Sequence, residues 1–319
     1  MKTDQHSNAG IAAVLVAATA LIAAPSRLAA GSPQTVGAAI AEHSIEVSVA
    51  GDLFTVYRTE QFGRGHKYPF LYPVNGPASG KSVTTYDREP YPHHSSLFMS
   101  LDHVASEGIG RANYWQPRDA LATGRVRSGG PRIMAADGAK VVIRDEAVWS
   151  VEGHDPQLRD TRTVTIFAPS ETLRVLDFRF EFEVLRDLTV GPTGHAMFSA
   201  RMHPDLAGAA GGTILDAAGR EGEQATRGQT ADWVAAFHQR DGIVEGLAIV
   251  QHPENPYYPA PWFTRDYGFL SPNPVWKTSR RWNEGDEFTQ RFRVLVFAGP
   301  PAEAGVAQWA GEFPGESAE

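Results

Sequence analysis

The chain has 319 residues, of which 42% are hydrophobic, 10% aromatic and 21% charged, the profile of a folded globular protein and not of a disordered one. Lys and Arg number 29 against 37 Asp and Glu, so the net charge of −8 excludes the basic footprint that nucleic acid or an anionic bilayer requires. With no cysteine, disulfides, zinc–thiolate sites and thiol catalysis are excluded as well.

At the N-terminus, Lys2 precedes an apolar run from Ile11 to Ala24 whose only polar member is Thr19. A bilayer span needs about 20 apolar residues, so this run is too short to cross. It fits the apolar core of a secretory signal, with small residues Ala23, Ala24, Ala29 and Ala30 supplying cleavage positions. Residues 1–30 are therefore expected to be a signal peptide and the protein to be secreted or periplasmic. Cleavage removes Lys2, Arg27 and Asp4 from the totals of 29 and 37, leaving 27 basic and 36 acidic residues and a net −9. No second apolar run follows, so no stable membrane span is expected after cleavage.

From residue 37 to 313 the recurring pattern is period-two alternation, the mark of half-buried strands. In 176–184, Phe178, Phe180, Phe182 and Val184 point to one face, and Asp177, Arg179, Glu181 and Glu183 to the other. Further strands are expected at 43–50, 53–59, 68–74, 94–101, 139–151, 161–168, 194–203, 231–239, 244–251 and 288–298, separated by Gly- and Pro-rich turns. One helix is expected near the end, with Pro301 in its first turn and Val306, Trp309, Ala310 and Phe313 at helical spacing. No helices intervene between strands, so the expected fold is all-β: a single large antiparallel sandwich over 37–313 with one short C-terminal helix.

Polar residues gather in four places. The first is Tyr91-Pro92-His93-His94-Ser95-Ser96, followed by Asp102-His103; neighbours on a strand face opposite ways, so only one of His93 and His94 enters a given pocket. In the second, alternation puts His195, Ser199, Arg201 and His203 on one face and Ala196, Phe198, Ala200 and Met202 on the other. At about 3.3 Å per residue, His195 and Arg201 are roughly 20 Å apart along the strand, which suits a groove for an extended ligand. The third, read as a proline-stiffened loop after a strand, runs from His252 and Asn255 through Tyr257 and Tyr258 to Trp262, Arg265, Asp266 and Tyr267. Rings that stack on a pyranose and amide or guanidinium groups that fork to paired hydroxyls make this composition suited to sugars. The fourth, Ala207 to Thr230, reads as a loop over the sheet.

These histidines supply general acids or bases near neutral pH, with Asp87, Asp102, Asp177, Glu254 or Asp266 as partner carboxylate; sequence alone does not choose among the five. Neutral imidazoles of His93 or His94, His195, His203 and His252 are also conceivable metal ligands, but neither His-x-His nor His-Glu-x-x-His spacing occurs, so no metal and no cofactor are expected. A serine elbow, a phosphate-binding loop and a dinucleotide fingerprint are all missing.

Pro69-Phe70-Leu71-Tyr72-Pro73, Pro92-His93-His94-Ser95-Ser96-Leu97-Phe98, Asn113-Tyr114-Trp115, Gly194-His195 through Arg201, and Trp262-Phe263-Thr264-Arg265-Asp266-Tyr267-Gly268 with Asn273-Pro274 resemble the PmoA-like domain family of unknown function, from about residue 50 to 298. The name "methane oxygenase PmoA" often given to it does not suit this chain, because a membrane methane monooxygenase subunit needs several transmembrane helices. The resemblance implies a supersandwich similar to galactose mutarotases, in proteins associated with carbohydrate use. By position it carries over His93, His94, His195, Arg201, His252, Asn255, Arg265 and Tyr267. The chain departs from the family's pattern at Ser95, where arginine is usual, and at Asn113-Tyr114.

The leading expectation is an exported carbohydrate-active enzyme of epimerase, lyase or hydrolase type. His93, His94, His195 and Arg201 are the expected catalytic residues, and His252, Asn255, Trp262, Arg265 and Tyr267 bind a small-molecule or oligosaccharide ligand. A non-catalytic glycan-binding protein with Trp262, Tyr257 and Tyr258 as platforms, and a histidine-ligated metal oxidoreductase, are the two alternatives.

Overall fold

The computed structural model describes Met1 and residues 31–60, 67–116 and 120–315. The expected signal peptide falls on residues that, Met1 apart, lie outside these. Among the described residues no helix is long and apolar enough to cross a membrane.

Two large sheets face each other. The smaller has eight strands in the order Val36–Ala41, Ser44–Val49, Asp52–Arg58, Phe70–Val74, Leu97–Leu101, Ala196–Arg201, Phe269–Pro272 and Trp262–Arg265. The larger is built on the long antiparallel strands Lys140–Val151, Leu158–Ser170, Leu173–Val184 and Glu287–Ala298, flanked on one side by Ile243–Gln251 and Trp233–Arg240. Its pairs are antiparallel except that Ala122 and Thr123 run parallel to Ala112 and Asn113. The fold is an all-β sandwich, and a short helix, Val306–Glu312, comes near the C-terminus.

Alternation explains the core. Phe178, Phe180 and Phe182 are almost wholly buried between the sheets, while Asp177, Arg179 and Glu181 stay half-exposed on the outer face. Phe198 of the smaller sheet reaches across to Phe178 at 4.7 Å and stacks on Phe292 at 5.0 Å between ring centroids. A second apolar cluster, including Val175, Leu295 and Phe297, packs under the C-terminal helix through Val306, Ala310 and Phe313.

Three sequence expectations change. The strand expected at 94–101 is broken at Ser96, whose φ of 22° turns Tyr91–Ser95 out of the sheet to pair with Tyr86–Arg88. The segment around Trp262 is not a loop: Trp262–Arg265 and Phe269–Pro272 form a hairpin at the sheet edge. The stretch 207–230, read as a loop, contains the strand Thr213–Asp216 and a helical turn at Gly222–Thr226.

Candidate functional site

The site lies on the face of the smaller sheet turned away from the sandwich core. Pairing places Phe98 opposite Ser199 and Arg201 opposite Phe269, so these side chains share the face opposite Phe198. Antiparallel register also decides which carboxylate meets a histidine. Leu101 pairs with Ala196, so Asp102 and His195 are the next pair outward, and the Asp102 amide donates to the His195 carbonyl at 3.2 Å. The Asp102 carboxylate is fully buried; Oδ1 accepts the His103 amide at 2.7 Å, and Oδ2 lies 3.4 Å from His195 Nδ1. The His195 side chain keeps 28% of its surface exposed.

Trp115 forms the wall beside His195, 5.6 Å between ring centroids. Its loop is fixed by an Asx turn in which Asn113 Oδ1 accepts the amides of Trp115 and Gln116 at 2.8 and 2.9 Å. From beneath, Lys67 Nζ donates to the carbonyls of Asn113 and Gln116 at 2.7 and 2.8 Å. Burial, followed by repulsion from Arg125, lowers the Lys67 ammonium to about 8.

On the other side of Trp115 is His94, 1% exposed and 6.0 Å from it. The out-turned strand Tyr91–Ser95 brings His94 against Phe269 at 4.4 Å, Tyr91 at 5.2 Å and Tyr267 at 6.1 Å. Burial, reinforced by His93, Arg201 and His195, holds its imidazole well below the ordinary 6.5, so it is neutral. Arg201 is 3% exposed, its guanidinium lying 4.6 Å from the Tyr267 ring centroid while Nη1 donates to the Tyr267 carbonyl. Tyr267 occupies the hairpin turn with Gly268, whose φ of 87° and close packing both demand glycine: a Cβ there would lie 2.9 Å from Met202 Cβ. Burial pushes the Tyr267 phenol up, against the pull of Arg265 and Arg201. Arg265 lies 5.4 Å from the same ring, with Nε 3.2 Å from Glu223.

Among the described residues, buried side-chain polar atoms without a hydrogen-bond partner include both ring nitrogens of His94, Trp115 Nε1, Ser199 Oγ and Arg201 Nε. An orphaned buried polar group costs roughly 1–3 kcal/mol. His94, Trp115, Ser199 and Arg201 gather beside the partly exposed His195, which makes this cluster the candidate site. Two non-glycine residues with positive φ, Ser96 and Met197 at 22° and 67°, flank it, as strained residues often flank functional sites.

The whole core of the chain, residues 44–310, matches the profile of a family of unknown function, DUF6807. The chain belongs to the DUF6807 family. Its matched segment spans the 50–298 region in which the PmoA-like motifs were read. No curated protein matches the DUF6807 chain. Among solved structures, it is similar to a polysaccharide lyase at 12% identity and a TM-score of 0.36, over 85% of this chain and 33% of the lyase. The chain thus spans about a third of that protein's length.

Of the residues singled out from the sequence of this DUF6807 protein, His93, His94, His195, Arg201, Arg265 and Tyr267 lie in or border the cluster; His93 is 4.5 Å from His94. Three do not. His252 is buried edge-on to Phe313 at 4.9 Å, under the C-terminal helix. Asn255 clips the Arg291 backbone, accepting its amide at 2.6 Å and donating to its carbonyl at 2.8 Å. Trp262 is fully buried, with Nε1 donating to the Ala231 carbonyl at 2.8 Å. His203 is also elsewhere engaged, its Nδ1 accepting the Asp205 amide at 3.3 Å. Sequence reasoning missed Glu223 and Arg227; their i,i+4 spacing, a 3.5 Å pair here, was the available signal. Among the described residues no group of three or more His, Cys, Asp or Glu is arranged to hold a metal ion.

Proposed function

We propose that the protein is a carbohydrate-active enzyme that performs acid–base chemistry on a sugar ring, with His195 as the proton-transferring group. The carrying observation is the His195–Asp102 pair, set among orphaned polar atoms and aromatic rings. With Nδ1–H donated to buried Asp102, the ring presents Nε2 as a base, and Asp102 stabilises the imidazolium that forms. The contact of 3.4 Å is long, as catalytic contacts often are before substrate binds. Arg201 and Arg265 oppose negative charge developing on oxygen. Export from the cytoplasm, kinship with PmoA-like proteins and a galactose-mutarotase-like ancestry belong to the same reading.

The test is turnover of a panel of oligosaccharides by the wild type, His195→Ala and Asp102→Asn, with binding measured in parallel. Both variants are expected to lose at least about a hundredfold in rate while still binding ligand. Binding without turnover in the wild type would favour a non-catalytic glycan-binding protein. In that reading Tyr257, which is 39% exposed, is the available platform, since Trp262 is enclosed.

A further inference from the structure

We infer that the ligand of this site is an acidic sugar, whose carboxylate or sulfate is held by Arg201 and Arg265; this rests on the reading of the cluster as a sugar site. Trp276, Arg227, Phe263, Arg265, Tyr267 and Arg201 alternate ring and guanidinium. Arg227 lies 5.6 Å from both Trp276 and Phe263, Arg265 lies 5.9 Å from Phe263 and 5.4 Å from Tyr267, and Arg201 lies 4.6 Å from Tyr267.

Against these three cations, the one carboxylate paired with the row among the described residues is Glu223. It lies 3.2 Å from Arg265 and 3.5 Å from Arg227, and its other oxygen accepts the Asp266 amide at 2.8 Å. Arg201, at the end of the row nearest His94, has no carboxylate partner among the described residues. Its described bond goes to a neutral carbonyl, its Nε has no partner, and Arg88 adds a further positive charge nearby.

A guanidinium does not discharge by losing its proton, and ring faces compensate a buried cation only in part. A charge so deeply buried is tolerated when an anion completes the site. A guanidinium fork fits the paired oxygens of a carboxylate or sulfate, and both Arg201 and Arg265 border the single Tyr267 ring. His94, held neutral beside Arg201, supplies no negative charge to balance it. A local excess of positive charge in a chain of net −8 would draw an anion to this face of the molecule.

The experiment is calorimetric titration of the full chain with oligogalacturonate and oligoglucuronate, with the methyl esters of both, and with a sulfated galactan oligosaccharide. At least one acidic form is expected to bind tenfold or more tightly than its neutral counterpart, and less tightly as salt is raised. Arg265→Gln, at a half-exposed position, and Arg201→Lys, which keeps the charge but loses the fork, should each weaken that binding about tenfold, with folding checked by circular dichroism. Preference for the sulfated probe supports the inference with sulfate as the anion; preference for a uronate supports it with carboxylate. Equal binding of acid and ester overturns the acidic ligand while sparing the sugar reading. Failure of every acidic and neutral probe overturns both.

Discussion

At the residue scale, the two histidines of the site differ because burial differs. His195 remains partly exposed with a carboxylate behind it, whereas His94 is enclosed by rings and cations, which keep it neutral. The sign of its contribution to stability follows. As pH falls through 6.5 the unfolded chain takes up a proton that folded His94 refuses, so stability is complete above 6.5 and declines below it. Urea unfolding of wild type and His94→Gln from pH 7.5 to 5 should show the wild type losing up to about 2 kcal/mol more than the variant. Parallel curves would contradict the buried neutral imidazole. Asp102→Asn tests the other histidine: turnover should fall while ligand binding persists, because an amide cannot stabilise the imidazolium that forms on His195.

At the element scale, the site depends on how a few short segments are held. The Asn113–Gln116 loop is pinned by Lys67 and by Tyr114, whose hydroxyl bonds Gln157 and whose ring packs on Trp149 at 5.2 Å. Gly124 lies directly against that ring, and a Cβ there would stand 2.6 Å from Tyr114 Cδ1. Gly124→Ala should therefore displace Tyr114 and the Trp115 wall with it. The expected result is a loss of about 1–3 kcal/mol in chemical denaturation together with weaker ligand binding, although residue 124 is not part of the cluster. The C-terminal helix is held differently. Fully buried Arg293 forks to Asp177 with two bonds of 2.7 Å, donates to the Trp309 carbonyl at 3.1 Å and lies 4.8 Å from the Phe313 ring. Asp177→Ala should cost about 3–5 kcal/mol because it strands the cation, and the double replacement Asp177→Leu/Arg293→Met should cost less. Urea titration of the two variants distinguishes them.

At the scale of the whole molecule, the sandwich is locked by aromatic contacts between sheets, and Phe198 is central to them. Phe198→Ala should cost about 3–5 kcal/mol in urea unfolding, and binding should suffer too because Arg201 lies on the same strand and His195 directly precedes it. Much of this architecture was legible in the sequence. Local alternation directly encodes which side of a strand is buried, so the inward set Phe178, Phe180 and Phe182 and the opposition of Phe198 to Arg201 were readable. Less was legible at the site. Ser96 breaks a strand without any glycine or proline to announce it, and Trp262 has the composition of a sugar platform yet is enclosed by the hairpin it starts. His252 and Asn255 likewise resemble binding residues but are engaged with Phe313 and Arg291. The sequence by itself determined the strand faces, the acidic charge and the inventory of histidines and arginines, because those depend on residues at most a few positions apart. Only the tertiary structure decided that Asp102, of five carboxylates, stands behind His195, that His94 is shut away from water, and that Arg227 and Arg265 share Glu223 while Arg201 has no described carboxylate partner. Those choices depend on strand register and sheet packing between segments far apart in the chain, which no local pattern encodes.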